Sequence, residues 1–239
     1  MRILFVLLLL SLSGSAQVSS RLEINKLTDD LYVYKTYGFF SGNAFPSNSM
    51  YLVTDEGVVL FDTPWDKGQF GPLLDSIKKR HNKEVVMCIA THFHDDRTAG
   101  FEYYEGKGIK TYSSKLTYDL CKKKNITPAQ HFFVNDTTFT IGEKTFETFY
   151  PGKGHSPDNI VIWIKDEKVL YCGCFVKSTE NSDLGNLSDA NVNAWDDSIK
   201  KVMNKYPKPL YVIPGHFGWS KGNRDLKHTL KLVKEYKKE

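Results

Sequence analysis

A short apolar run that ends in a cluster of polar side chains constrains this 239-residue chain more than any other feature. The run Glu84–Ala90, EVVMCIA, predicts a buried β-strand. It leads directly into Thr91–Gly100, THFHDDRTAG, with two histidines and two aspartates in five consecutive residues. Such side chains bind metal ions or exchange protons and are seldom part of a hydrophobic core. The sequence therefore predicts a functional site at the end of a buried strand.

One plan of strands and helices occurs twice along the chain. The clearest predicted elements are hairpins over 50–64 and 159–174, helices over 67–81, 191–206 and 223–238, and strands over 84–90 and 209–218. Each half is then a sheet covered by helices on one side. This predicts an α/β fold, a four-layer αββα sandwich made of two similar halves. No linker or low-complexity segment separates the halves, so one domain is expected over residues 17–239.

Six side chains of the metal-ligand type follow predicted strands at their carboxyl ends, where open α/β sheets place their sites. They are His92, His94, Asp96, His155, Cys174 and His216. In an extended segment the first three point to the same side. A single histidine after a strand is more often an ordinary loop residue, and a single cysteine is more often a small buried residue. The six together predict a metal site.

The types of ligand indicate which metal binds. Imidazole and thiolate favour zinc over magnesium or calcium. Six ligands are too many for one tetrahedral zinc that keeps an open position, but they divide into two sets of three. Two zinc ions with a bound water as nucleophile describe a two-metal hydrolase.

Several longer motifs extend this prediction to a family. In chain order they are NSMYLVTDEGVVLFDTPW, THFHDDRTAG, YPGKGHSPDN, GCFVKS, LGNLSDANVNAW and IPGHFGW. With them the chain resembles the metallo-β-lactamases of subclass B1 over essentially its whole mature length. The resemblance implies a β-lactamase in which zinc-bound hydroxide attacks the β-lactam carbonyl. It assigns His92, His94 and His155 to the first zinc, and Asp96, Cys174 and His216 to the second.

The resemblance also implies residues that act on the substrate. Lys177 would bind the substrate carboxylate, Asn186 would assist the carbonyl oxygen, and Asp96 would take part in catalysis as well as in zinc binding. The glycines and the proline of YGFFSGNAFP are expected to break the preceding strand into a loop. By resemblance this segment matches a mobile flap, in which Phe39, Phe40 or Phe45 would contact the substrate. From the residues alone, a solvated surface lysine is the preferred interpretation of Lys177, and Asn186 is equally compatible with a turn residue.

Arg97 separates this interpretation from its closest alternative. Thiolesterases of the glyoxalase type and phosphodiesterases of the same superfamily have H-x-H-x-D-H, with a histidine ligand after the aspartate. Arg97 cannot bind a metal, because its guanidinium stays protonated. Cys174 must then supply a ligand, which favours the β-lactamase over a zinc hydrolase that acts on a lactone or thioester. A non-catalytic zinc-binding protein is the third interpretation, and the chain has no His-rich or acidic loop to favour it.

The amino terminus predicts export. Residues 1–16 contain Arg2, an apolar run too short to span a bilayer, and small residues before Gln17, as in a cleaved signal peptide. We therefore expect a monomeric periplasmic protein that acts on small molecules and has no membrane or nucleic-acid partner. The net charge of +4 comes from lysines scattered over predicted helix faces. The spacing of the four cysteines does not favour disulfides, and Cys172, so close to Cys174, has no assigned role.

Overall fold

The computed structural model describes residues 21–40 and 43–238, and the predicted signal peptide over 1–16 lies outside them. A seven-stranded sheet contains the first strands in chain order. They are β1 (Glu23–Lys26), β2 (Leu31–Phe40), β3 (Asn43–Val53), β4 (Val58–Phe61), β5 (Val85–Ile89), β6 (Lys110–Ser114) and β7 (His131–Phe133). Strands β1 to β4 pair antiparallel, and β4 to β7 pair parallel.

A second sheet of six strands has the order β13-β12-β11-β10-β9-β8. Its strands are β8 (Thr138–Ile141), β9 (Lys144–Phe149), β10 (Val161–Ile164), β11 (Val169–Gly173), β12 (Tyr211–Pro214) and β13 (Ser220–Lys221). Only the β11–β12 pair is parallel among these six strands. Parallel neighbours bring their carboxyl ends to the same edge, so β11 and β12 end side by side.

Helices cover the outer faces of both sheets. They are α1 (Phe70–His81), α2 (Asp95–Thr98), α3 (Phe101–Glu105), α4 (Lys115–Lys123), α5 (Val192–Lys205) and α6 (Arg224–Tyr236). Side-chain caps begin two of them: Ser114 accepts from Thr117 N before α4, and Asn191 accepts from Ala194 N before α5. Within the described part of the chain, no helix is both long and apolar enough to cross a membrane.

Three apolar layers hold the four layers of backbone together. Along β2, Leu31 and Val33 face the layer between the two sheets, while Tyr32 and Tyr34 face the helices that cover the first sheet. This alternation follows from the period of two in a strand. The third layer joins the second sheet to α5 and α6 through Trp195, Ile199, Val202 and other buried residues. The predicted αββα sandwich is confirmed.

The segment after Tyr37 differs from the sequence prediction. We expected the glycines and the proline to break the strand into a loop, but β2 and β3 remain paired from Leu31↔Leu52 to Phe40↔Asn43. The pairing passes Gly38, where an added Cβ would lie 2.4 Å from the ring of Trp65. Glycine thus allows the indole to lie directly on the hairpin. The predicted flap is the end of a long β-hairpin, and Trp65 lies against it at Gly38.

Candidate metal centre

The six predicted ligands converge at one edge of the sandwich. His92 and His94 follow β5, Cys174 follows β11 and His216 follows β12, as predicted. His155 lies in the connection between β9 and β10. The expectation of an extended segment through Asp96 was wrong. His94 has extended backbone angles, but α2 begins at Asp95, so Asp96 is placed by the first turn of a helix.

The first triad consists of His92, His94 and His155. His94 Nδ1 lies 3.1 Å from His92 Nε2 and 3.2 Å from His155 Nε2. In a tetrahedral zinc site with zinc–nitrogen bonds of about 2.0–2.1 Å, the ligand nitrogens are about 3.3 Å apart. The spacing of the three nitrogens therefore fits a single zinc ion.

The second triad consists of Asp96, Cys174 and His216. Cys174 Sγ lies 3.1 Å from His216 Nε2, and Asp96 Oδ2 lies 3.4 Å from both atoms. Ligand atoms of His92, His155 and Cys174 also lie within 4.8 Å of one another, so the two triads are adjacent. A thiolate, a carboxylate and an imidazole are also a zinc ligand set.

Outer contacts fix which ring nitrogen faces the triads. His216 Nδ1 donates to the carbonyl oxygen of Pro46 at 2.7 Å, which leaves the Nε2 lone pair free for a metal. His94 Nε2 lies 3.1 Å from Asp189 Oδ2, which turns Nδ1 toward the first triad. Carboxylate and carbonyl partners of this kind orient histidine ligands and raise their basicity. The sequence analysis missed Asp189, because it lies in a loop without periodicity.

Burial sets the protonation of the triads. Burial lowers the pKa of His92 and of His155 well below the usual histidine value, and lowers the pKa of His216 to about 4. These imidazoles are neutral at pH 7 and can donate a lone pair to a metal. Burial raises the pKa of Cys174 to about 12 against the opposing effect of Arg97. A coordinating metal ionises such a thiol outright.

Arg97 is fully buried and bonds to groups of both sheets. Burial tends to raise the pKa of Asp96, but Arg97 and the neighbouring histidines outweigh it and hold that pKa below the usual range. Nη1 contacts Asn48 O (2.7 Å), Tyr171 OH (3.0 Å) and Asp62 Oδ2 (3.3 Å); Nη2 contacts Asp96 Oδ2 (2.8 Å), Cys174 Sγ (3.0 Å) and Gly215 O (3.0 Å). Arg97 therefore compensates buried negative charge in place of binding a metal.

Asp62 is a further residue that the sequence analysis missed. It directly follows β4, has a left-handed φ of 67° and is fully buried. Its carboxylate accepts from Thr91 N (2.6 Å) and Thr91 Oγ1 (2.8 Å), immediately before His92. The signal was available, because β4 is parallel to β5 and ends at the same edge of the sheet.

The two neighbouring cysteines lie in different environments. Cys174 belongs to the second triad, whereas Cys172 lies in the apolar layer beneath α5 and α6. The strand register shifts between Tyr171 and Gly173, and Gly173 has a φ of 53°. In a regular strand Cys172 and Cys174 would lie on the same face, but this bulge places their side chains in different environments. All four cysteines are free, which agrees with the prediction from their spacing.

Lys177 is buried beside the triads and is not a solvated surface lysine. Only 6% of its surface is exposed, and burial lowers the pKa of its ammonium. Nζ lies 5.5 Å from the ring centroid of Trp195, and no carboxylate of the described chain pairs with it. Cys174, Asp96 and Asp183 are the acidic groups whose charges act on it. Its donors are therefore available to an anion in the site.

The remaining residues predicted to contact the substrate differ in their contacts and in their exposure. The Phe45 ring is 5.0 Å from the His216 ring, while Phe39 is 60% exposed near the end of the hairpin. Phe40 ends β2, opposite Asn43. Asn186 is exposed, and its Oδ1 accepts from Ser188 N at 3.0 Å. Trp65, which the sequence analysis did not single out, contacts both Phe45 and His216 edge-on.

Comparison with known proteins agrees with this geometry. A sequence model of the metallo-beta-lactamase superfamily matches residues 42–216. The metallo-beta-lactamase type 2 of Elizabethkingia meningoseptica is 44% identical over 95% of this chain and 91% of its own length. Metallo-beta-lactamase IND-1 of Chryseobacterium indologenes is 43% identical over 97% of both chains.

Solved structures show the same relation. The crystal structure of metallo-beta-lactamase IND-7 superimposes with a TM-score of 0.86 at 42% identity, over 89% of this chain and 98% of that one. The metallo-beta-lactamase from Pontibacter korlensis superimposes with a TM-score of 0.87 at 34% identity, over 90% of this chain and 99% of that one. The chain therefore belongs to the metallo-beta-lactamase superfamily, in the subclass B1 branch that its motifs indicated.

Proposed function

We propose that the protein is an exported, zinc-dependent β-lactamase that hydrolyses penicillins, cephalosporins and carbapenems and so confers antibiotic resistance. One observation carries the proposal: two adjacent triads with zinc-like spacing lie beside a buried lysine that has no carboxylate partner among the described residues. Relatives named metallo-beta-lactamases are 40% to 44% identical to the chain. The substrate is a small molecule with an amide to break and an anionic group to bind.

In this proposal the first triad binds one zinc ion and the second triad binds another. When bound, zinc lowers the pKa of water to supply a nucleophile at neutral pH and polarises a carbonyl oxygen. The residues of the chain hold this centre in place: Asp189 orients His94, and Pro46 orients His216. Arg97 compensates the negative charge of Asp96 and Cys174.

Lys177 and the surrounding loops position the substrate. The Lys177 ammonium binds the carboxylate that β-lactams carry beside the ring nitrogen, because its donors are not used by the described chain. Phe45, packed against His216, offers an apolar surface next to the second triad, and Phe39 extends that surface along the hairpin. Asn186 assists the carbonyl oxygen through its side-chain amide.

The cellular context is part of the proposal. The sequence of residues 1–16 supports export to the periplasm by a cleaved signal peptide, with residues 17–239 as one domain. We infer a monomer that acts alone on small molecules, without a nucleic-acid or membrane partner. The four free, buried cysteines are compatible with an oxidising compartment, since none is accessible to form a disulfide.

Hydrolysis of a carbapenem by the purified mature protein tests this function. We expect turnover that stops when a chelator removes the metal and returns when zinc is restored. Two zinc ions per chain are expected in the active preparation. Absence of turnover with zinc demonstrably bound would overturn the proposal in favour of lactone or thioester hydrolysis, to be measured next on those substrates. Bound zinc without any hydrolysis would identify a zinc-binding protein.

A further inference from the structure

An open surface cavity lies far from the triads and has no role in the proposed hydrolysis. It has a volume of about 660 Å³ and is formed by β9, β10, the β10–β11 turn and the carboxyl end of α5. Lys168, at its wall, directly precedes β11, whereas Cys174 directly follows that strand. The cavity and the metal centre are therefore at opposite ends of β11. Its volume is in the range of small-molecule sites, about 300–1,000 Å³.

The cavity carries an excess of positive charge. Its lysines outnumber its acids by four to two, a net charge of +2; they are Lys165, Lys168, Lys205 and Lys208 against Glu147 and Asp166. Some lysines elsewhere pair with nearby aspartates, as Lys115 does with Asp119 at 2.7 Å. None of the four cavity lysines has a carboxylate partner among the residues that the structure describes. Their charge is available to an external anion.

Aromatic rings form an apolar surface next to these lysines. The rings of Trp163 and Tyr206 stack with centroids 5.1 Å apart, and Phe149 meets Tyr206 edge-on at 6.1 Å. Lys205 Nζ lies 4.7 Å from the Phe149 centroid, so the charge and the rings are directly adjacent. Flat rings beside cations bind molecules that combine an aromatic face with an anionic group.

The fold alone explains only some of these lysines. The helix dipole explains lysines near the end of α5, such as Lys205 and Lys208. It does not explain Lys165 and Lys168, which come from a turn on another element.

We propose that this cavity is a binding site for an organic anion that carries a flat ring. The ring lies against Trp163 and Tyr206, and the anionic group lies among the four lysines. The site is independent of the metal centre, so its ligand need not be the hydrolysed substrate.

Calorimetric titration of the full mature protein tests the site, with naphthalene-2-sulfonate as the probe. We expect saturable binding of one molecule per chain. Inorganic phosphate tests the charge alone and naphthalene-2-methanol tests the ring alone, and both should bind at least about tenfold more weakly. The double variant Lys168→Gln/Lys205→Gln should weaken binding of the probe by about tenfold, while its thermal unfolding and zinc content stay unchanged.

The control removes the same charge elsewhere. Lys79 and Lys123 are exposed and have no ion-pair partner among the described residues, so Lys79→Gln/Lys123→Gln should bind the probe as the parent does. Equal weakening in the two double variants would reduce the effect to net charge and overturn the proposal. Lack of saturation would also overturn it.

Discussion

The two triads lie side by side, yet they differ in charge. The first contains three imidazoles, of which burial keeps His92 and His155 neutral. The second contains Asp96 and Cys174, both of which are anions when they bind a metal. Buried negative charge is costly unless a cation compensates it, and Arg97 is that cation. The first triad thus depends on its orienting partner Asp189, whereas the second depends on a buried network.

The two buried cations near the triads show the same contrast. Arg97 makes six contacts to oxygen and sulfur atoms through Nη1 and Nη2, so both terminal nitrogens of its guanidinium are used within the protein. Lys177 lies over the Trp195 ring and has no carboxylate partner in the described chain. A cation whose bonds are satisfied stabilises the fold, and one with free donors can bind a ligand. Substitutions can separate these roles, and we order them by the size of the expected effect.

Replacing Arg97 should have the largest effect. Arg97→Met leaves the carboxylates of Asp62 and Asp96 buried without a compensating cation, so we expect the free energy of unfolding to fall by about 3–5 kcal/mol. Urea unfolding of the metal-free protein measures this. Arg224→Met, at an exposed position, should change the same quantity by less than about 0.5 kcal/mol. Similar losses in both variants would show that Arg97 is not the compensating charge.

Cys174→Ser should affect only the second triad. Loss of one of the three protein ligands should weaken zinc binding there by about 3 kcal/mol, or about a hundredfold, as a share of the roughly 10–16 kcal/mol with which protein zinc sites bind. Competition with a chromophoric chelator should therefore detect one tight zinc ion in place of two, together with lower turnover. Cys172→Ala, in the apolar layer two residues away, should retain both ions. Unchanged zinc content and turnover in Cys174→Ser would exclude Cys174 from the centre.

Asp189→Ala should affect only the first triad. Without the carboxylate 3.1 Å from its Nε2, His94 loses its orientation, and zinc affinity there should fall by about tenfold to a hundredfold. The same competition assay resolves this, with the second zinc retained. Asp197→Ala removes an exposed acid away from the site as a control. If the second triad loses zinc in Asp189→Ala, the two triads are not independent.

Lys177→Ala should change metal binding at neither triad. Because Lys177 is proposed to bind the substrate carboxylate, we expect KM to rise by about tenfold while kcat changes less. Steady-state kinetics on a carbapenem measure both parameters, and zinc content checks that the centre is intact. Lys79→Ala, an exposed lysine on α1, should leave KM unaltered. An unaltered KM in Lys177→Ala would remove the lysine from the substrate site.

The sequence predicts most of the scaffold, because its elements follow periodic rules. Alternation along the strands and the apolar faces of α1, α5 and α6 identify which surfaces are buried. The ligands could be expected to converge, since β5, β11 and β12 end where parallel neighbours meet. The resemblance to subclass B1 then divided the ligands into two sets. The structure brings both sets together.

What the sequence could not provide are contacts between distant segments. The residues around Arg97 in the sequence do not show that its side chain contacts Asn48 and Gly215, because those contacts exist only after the two sheets pack. Asp189 is equally hidden, since a loop carboxylate has no pattern that points to His94. The chain is still extended at His94 and turns into a helix at Asp95, in place of the expected extended segment through Asp96. Local patterns do not determine such turns.

Both triads combine residues from the two halves of the chain. His92 and His94 meet His155 from beyond β9, and Asp96 meets Cys174 and His216 from the second sheet. A bound metal ion therefore acts as a crosslink between the two halves. Even the nearer pair of ligands from different halves, His94 and His155, is 61 residues apart in the sequence. By mass action, free metal at a thousand times its dissociation constant stabilises the docked halves by about 4 kcal/mol. A cell that withholds zinc would thus weaken the association of the two sheets as well as the chemistry at their edge.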